Sequence, residues 1–152
     1  MHLETVDAQT ARFVLSVDSL PVGRVHNVQI PGAREAFTEA GAMWVLLDDT
    51  SSLRQQAPLI ARWMSANLGD LDVEEDDEIV GLVAQNVLDS DLGAYFTSHG
   101  GRAELEGYGH DGVVVHLSGA CEGCPAATLT LDGRIASALS RRLGRPMTVR
   151  RV

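Results

Sequence analysis

Short apolar segments separated by glycine and proline dominate the first half of the chain. Three of them have the β-branched or compact apolar character of strands. Residues 33–40 are rich in alanine and end at Gly41, a pattern that predicts a short helix. Apolar residues near helical spacing predict a longer helix over residues 53–68, and Ser51 or Ser52 is able to cap it. The predicted strands are 11–17, 25–30 and 42–47.

The second half of the chain shows a different order of patterns. Apolar residues at spacings of three and four predict an amphipathic helix over residues 79–96, and Gly100 and Gly101 stop it. The order helix, strand, strand, helix, strand is typical of a small two-layer α/β domain. The elements after the first helix are strands at 103–108, 113–117 and 147–152, a hairpin connection at 109–112 and a helix at 125–143.

These patterns together predict an α/β (α+β) fold made of two small two-layer domains. The first domain covers residues 1–70 and the second covers residues 79–152. The acidic segment 71–78 lies between them and is predicted to be a hinge. Its run of carboxylates at residues 74–78 is most simply a solvated helix start, because negative side chains complement the positive end of a helix.

Composition and charge exclude several classes of protein. The chain has 152 residues and a net charge of −9, whereas a general nucleic-acid binder needs a basic surface. It has no apolar run of about 18 residues that could span a membrane. Its start lacks the basic and apolar segments of a secretory signal, and the acidic Glu4 and Asp7 argue against a mitochondrial presequence. We therefore expect a cytoplasmic protein that binds neither nucleic acid nor membrane.

The strongest candidates for metal binding or redox chemistry are the only two cysteines of the chain, Cys121 and Cys124. They lie two residues apart between a predicted strand and the predicted start of a helix at Pro125. This spacing lets both sulfur atoms face one point, and the glycines around them let the backbone turn tightly. The free amides at a helix start favour negative charge, which lowers the pKa of a thiol and suits a thiolate.

Two cysteines are too few for most metal centres held by one chain. A structural zinc ion or a cubane iron–sulfur cluster needs about four protein ligands. Three solutions remain open: two chains share one centre, histidines complete the ligand set, or the pair does thiol–disulfide chemistry without metal. Thioredoxin-like sites usually place the motif after the first strand of a βαβ unit, which differs from the order here. The candidate histidines are His2, His26, His99, His110 and His116, and none has a convincing ligand spacing.

The second half of the chain resembles a known family. Residues 119–125, Gly-Ala-Cys-Glu-Gly-Cys-Pro, follow a strand Val-Val-Val-His-Leu at 113–117 and precede Thr-Leu-Thr-Leu at 128–131. Residues 99–105 add a double glycine followed by a strand. These motifs are similar to the signature of the Nfu family, also called the NifU C-terminal domain. The resemblance covers about residues 75–152.

The resemblance implies a function for the cysteines. Members of the family are scaffolds or carriers of iron–sulfur clusters, typically a [4Fe–4S] cluster bridged between two protomers and then delivered to apo-proteins. Here the ligands would be Cys121 and Cys124 of each chain, in a homodimer that forms when the cluster is loaded. The isolated protein could hold zinc in place of the cluster, or no metal. No catalytic residue and no enzyme activity are implied. A dithiol redox protein and a zinc-bridged interaction module are the alternatives.

Some residues differ from the family pattern. His99 and Arg102 replace the acidic residues usual around the double glycine, and Ala126 and Ala127 stand where small hydroxyl residues are common. These changes leave both thiols intact. The first half resembles the N-terminal domain of longer Nfu proteins through residues 10–13 but lacks their Asn-Pro. Its expected role is client contact or positioning, and an unrelated small domain is the alternative.

Overall fold

The computed structural model describes residues 1–17, 19–26, 29–119 and 125–152, with side chains of 125–129 not described. The chain forms two compact units, Met1–Ile79 and Val80–Val152. Each contains helices and a sheet, so the predicted α/β class is confirmed. None of the helices in the described residues is long and apolar enough to cross a lipid bilayer.

The first unit is a six-stranded antiparallel sheet with one long helix. Helix α1 (Leu53–Asn67) contributes the buried Ile60 and Met64 to an apolar core with Phe13, Met43 and Val45 of the sheet. A short 3-10 turn at Leu68–Asp70 follows it. The spatial order of the strands is β1-β2-β5-β4-β3-β6. The strands are β1 (His2–Asp7), β2 (Thr10–Val14), β3 (Gly23–His26), β4 (Ala33–Glu39), β5 (Ala42–Leu47) and β6 (Asp72–Glu74).

The predicted short helix over residues 33–40 is wrong, because this segment is strand β4. Its alanine, arginine and glutamate residues favour a helix in isolation. In the sheet, however, β4 pairs with β5 on one side and β3 on the other. The consecutive residues Phe37, Thr38 and Glu39 are all at most 1% exposed. An amphipathic helix buries one stripe of side chains, whereas a central strand can bury consecutive ones, and tertiary packing therefore overrides local propensity.

A buried ion pair joins strands of this sheet. The guanidinium of Arg12 on β2 donates two hydrogen bonds to the carboxylate of Glu39 on β4, at 2.8 and 3.1 Å. The indole Nε1 of Trp44 donates a third to the same carboxylate at 2.7 Å. Arg12 also reaches Glu4 on β1 at 2.7 Å. The carboxylate is thus buried with several donors, as a buried charge requires.

The acidic segment 71–78 differs from the sequence expectation. Asp72–Glu74 forms edge strand β6, which pairs with β3 through Val25 and Val73. Glu78 then begins helix α2, in agreement with the expected helix start.

The sequence also did not predict strand β1, because its residues are mostly exposed and show no alternation of apolar and polar side chains. The hinge function of segment 71–78 and the resemblance of residues 1–70 to the Nfu N-terminal domain stay predictions.

The second unit follows the predicted order of helix, strand, strand, helix and strand. Its sheet has the order β7-β8-β9, with β7 and β8 antiparallel and β9 parallel to β8. The helices bury apolar side chains such as Val83, Leu131 and Leu139, and β8 buries Val115. The elements are α2 (Glu78–Asn86), α3 (Gly93–Ser98), β7 (Gly101–Gly109), β8 (Gly112–Gly119), α4 (Pro125–Leu143) and β9 (Thr148–Arg151).

The first helix of this unit is broken, although the sequence predicted one continuous helix over residues 79–96. A π-helical segment, Val87–Asp91, separates α2 from α3. The backbone N–H of Leu92 donates to the carbonyl of Val87 at 2.9 Å, five residues back, which is the π pattern. Because the extra residue shifts the helix only locally, Val83, Val87 and Phe96 are all still buried.

Candidate metal centre

The two candidate ligands, Cys121 and Cys124, lie outside the described residues. The elements on either side of them are described: β8 ends at Gly119 and α4 begins at Pro125. The strand and the helix predicted on either side of the cysteine pair are therefore present, as β8 and α4. The roles of the two thiols stay a prediction.

Glycines line the point where the chain leaves β8. Gly119 pairs with Gly101 across the β7–β8 ladder. Gly119 and Gly100 both adopt the left-handed backbone conformation, with φ of 69° and 67°. A Cβ atom on Gly119 would lie 2.5 Å from the carbonyl oxygen of Gly100. The two backbone segments approach each other so closely that only glycine fits at position 119.

Helix α4 begins directly after the cysteine pair. It runs for 19 residues and carries no acidic residue in its first turn, while Arg141 and Arg142 occupy its last turn. The arginines complement the negative end of the helix dipole, and the first turn itself contains no carboxylate that would neutralise the positive end. A helix start of this kind favours thiolate over thiol in a nearby cysteine.

The described residues contain no ligand set built on the histidines. In the part of the chain that the structure describes, no three His, Cys, Asp or Glu side chains come together as a metal site. His116, on β8, has its Nδ1 atom 3.0 Å from the carbonyl oxygen of Val152. The Nδ1 atom of His99 lies 2.9 Å from the carbonyl oxygen of Tyr95. His2, His26 and His110 each lie next to a carboxylate, those of Glu4, Glu74 and Asp111.

A stack of side chains beside the double glycine was not predicted from the sequence. The rings of Tyr95 and His99 stack with centroids 4.2 Å apart and planes 21° apart. The guanidinium carbon of Arg134, on α4, lies 5.2 Å from the centre of the Tyr95 ring. The spacing of four residues between Tyr95 and His99 could have revealed their contact on a helix. The contact with Arg134 depends on tertiary packing and left no signal in the sequence.

Comparison with known proteins supports the resemblance. The family model for the NifU-like domain matches residues 84–150, which is 67 of the 152 residues (150 − 84 + 1), somewhat under half of the chain. A search of curated proteins found no match. The matched range lies within the segment 75–152 that resembles the Nfu family by its motifs. Residues 84–150 therefore match a NifU-like domain, and this match supports the resemblance of the second half of the chain to the NifU/Nfu family.

Proposed function

We propose that this protein carries a [4Fe–4S] cluster, held between two protomers by Cys121 and Cys124 of each, and delivers it to apo iron–sulfur proteins. The NifU-like domain supports the general class, since the family consists of iron–sulfur cluster scaffolds and carriers. The cluster is cargo that the protein releases without changing it chemically. We therefore assign no enzyme activity to the chain.

The number of sulfur donors carries the proposal. A cubane cluster is normally held by four cysteine thiolates. The whole sequence contains two cysteines, both in the segment between β8 and α4. A second copy of the chain would supply the other two thiolates through the same motif, which gives an isologous twofold arrangement.

The described frame suits thiolate ligands. The start of α4 favours negative charge, and thiolate rather than thiol is the form that binds iron. Gly100, Gly101 and Gly119 have no side chains to obstruct an approaching partner. In delivery, each incoming client cysteine would lose its proton and form an iron–sulfur bond, while Cys121 or Cys124 leaves the iron and regains a proton.

The first unit would serve the same function by contacting or positioning clients. The chain would then consist of an N-terminal domain (1–70), a hinge (71–78) and a cluster domain (79–152). A net charge of −9 is unfavourable for binding nucleic acid or an anionic membrane surface. We propose a cytoplasmic location, where cysteines stay reduced and available as ligands.

Anaerobic reconstitution with iron and sulfide tests the proposal. Wild-type protein should develop the visible absorbance of an iron–sulfur cluster and elute at twice the mass of the metal-free chain. Cys121→Ser and Cys124→Ser should each lose most of this absorbance, because each removes two of the four thiolates from the dimer. Ser118→Ala, a change on the neighbouring strand that removes no thiol, should load normally.

Three outcomes would contradict the proposal. Cluster absorbance retained by either cysteine variant would exclude that residue as a ligand. Colourless wild-type protein that contains zinc would support an interaction module. Protein that takes up no metal but forms a reversible disulfide with turnover by a reductase would support a dithiol redox protein.

A further inference from the structure

The side chain of Tyr95 connects α3 to α4. Its ring stacks on the ring of His99 with centroids 4.2 Å apart, and the ring of Phe96 meets it edge-on at 6.0 Å. The guanidinium carbon of Arg134, on α4, lies 5.2 Å from the centre of the Tyr95 ring. Phe96 is buried and Tyr95 is half-buried, so the ring lies between the exposed side chains and the core of the second unit.

The end of α3 also fixes the last residue of β8. The backbone N–H of Gly100 donates to the carbonyl oxygen of Thr97 at 3.3 Å, so the double glycine continues directly from the helix end. Gly101 pairs with Gly119, and a Cβ atom on Gly119 would lie only 2.5 Å from the carbonyl oxygen of Gly100. The cysteine segment, residues 120–124, therefore follows a residue whose position depends on the end of α3.

The start of α4 lies on the other side of the cysteine segment. The helix is continuous from Pro125 to Leu143, so a contact that fixes one of its turns also fixes the direction of its start. Arg134 provides such a contact through the Tyr95 ring. The elements on both sides of the cysteine segment are thus joined through α3, and Tyr95 supplies the side chain that reaches α4.

We propose that Tyr95 is a positioning residue for Cys121 and Cys124, and that its ring holds the two ends of the cysteine segment at the separation that metal binding requires. This inference rests on the proposed function for the assignment of both thiols as ligands. A segment whose ends are already fixed loses less conformational freedom when it binds a metal. Side chains that orient ligands without touching the metal commonly change metal affinity by about ten-fold or more.

Titration of the metal-free, full-length protein with Cd²⁺ tests this role, because Cd²⁺ is a soft ion that binds thiolates and gives an ultraviolet charge-transfer band with them. Tyr95→Leu removes the ring and should weaken Cd²⁺ binding about ten-fold. Tyr95→Phe keeps the stacking and cation–π contacts and should bind Cd²⁺ within about two-fold of wild type. Arg134→Gln loses only the cation–π contact and should bind about three-fold more weakly than wild type.

Tyr108→Leu is the matched control. Tyr108 is the other tyrosine of the chain and lies in the same unit. Its ring packs against Gly81 of α2, where a Cβ atom would lie 2.6 Å from it. Tyr108→Leu should lower the thermal stability of the protein, as Tyr95→Leu does, but leave the affinity for Cd²⁺ unchanged. Thermal unfolding followed by circular dichroism thus separates positioning of the thiols from a general loss of stability.

Tyr95 would have no positioning role if Tyr95→Leu bound Cd²⁺ as tightly as wild type, if Tyr95→Phe were as weak as Tyr95→Leu, or if Tyr108→Leu lost the same affinity. Anaerobic loading with iron and sulfide separates this inference from the proposed function. Wild-type protein that takes up no cluster, in a series whose Cd²⁺ affinities follow the expected order, would contradict the carrier function and leave the role of Tyr95 intact.

Discussion

Gly119 is the residue on which the geometry next to the cysteine segment depends most. Its left-handed φ of 69° and the 2.5 Å between a Cβ atom and the Gly100 oxygen both disfavour any side chain. Gly119→Ala should destabilise the end of the β7–β8 ladder by about 1–3 kcal/mol. Hydrogen–deuterium exchange of the β7 and β8 amides in the full-length protein would measure this loss. Exchange at wild-type rates would contradict the account.

Gly133 offers a matched control for that substitution. It lies within α4, and a Cβ atom there would meet no atom within 4 Å. Gly133→Ala should therefore stabilise the helix by about 0.5–1 kcal/mol, since alanine loses less backbone entropy than glycine. The opposite signs of the two changes would show that the cost at Gly119 comes from its backbone conformation and its contact with Gly100.

At the residue scale, local positions were easier to predict than contacts. Pro125 at the start of α4 follows from the preference of proline for the first helical position. The contact of Arg134 with Tyr95 joins positions 39 residues apart (134 − 95) and depends on how two helices pack. The same holds for Arg12 and Glu39, whose pairing requires the sheet order β2-β5-β4.

At the element scale, the helices α1 and α4 and the strands of the second unit were predictable because their apolar patterns match their structural periods. Strand β4 was not, because its composition favours a helix and only its two neighbouring strands make it a strand. The π-helical break at Val87–Asp91 also escaped prediction. The apolar residues on both sides of the break are buried, so the spacing of apolar residues in the sequence resembles that of a continuous helix.

Arg24, on strand β3, contacts three carboxylates of the first unit. Its guanidinium contacts Asp76 at 2.8 Å, Glu35 at 2.9 Å and Glu78. The hydrogen bond from Arg24 and that from the backbone N–H of Glu78 hold the pKa of Asp76 below its usual value of 3.8. A carboxyl group whose pKa is lowered by folding stabilises the protein at pH values above its usual pKa, here 3.8. This stabilisation is lost as the pH falls through the lowered pKa of the folded state.

Arg24→Gln should therefore reduce the free energy of unfolding of the first unit by about 1 kcal/mol at neutral pH, since the ion pairs are partly exposed. The difference from wild type should narrow as the pH falls below 3.8. Denaturant unfolding followed by tryptophan fluorescence reports on this unit, because both tryptophans, Trp44 and Trp63, lie in it.

Arg34→Gln is the control for this measurement. Arg34 is 56% exposed and pairs at 3.0 Å with its neighbour Glu35. Its loss should change stability by less than about 0.5 kcal/mol. If the Arg24 variant were as stable as the Arg34 variant, or if its loss of stability stayed constant down to acid pH, the ion pairs of Arg24 would not stabilise the first unit.

At the scale of the whole molecule, the chain combines an acidic first unit, with five arginines and fourteen Asp and Glu, with a second unit of seven arginines and seven Asp and Glu. The second unit contains the segment that matches the NifU-like domain, so the proposed cluster site and the excess negative charge lie on different parts of the chain. The sequence predicted two units and the fold of the second, where motif and periodicity agree. It predicted the first unit less completely, because a six-stranded sheet is built from pairings between distant segments that local patterns do not encode.

Native mass spectrometry of anaerobically loaded protein tests the central claim most directly, because it counts chains and cluster atoms in one particle. The account predicts a species with the mass of two chains, four iron atoms and four sulfides, since each chain brings half of the four thiolates that a cubane cluster requires. A loaded single chain, or a dimer that contains zinc and no sulfide, would contradict it.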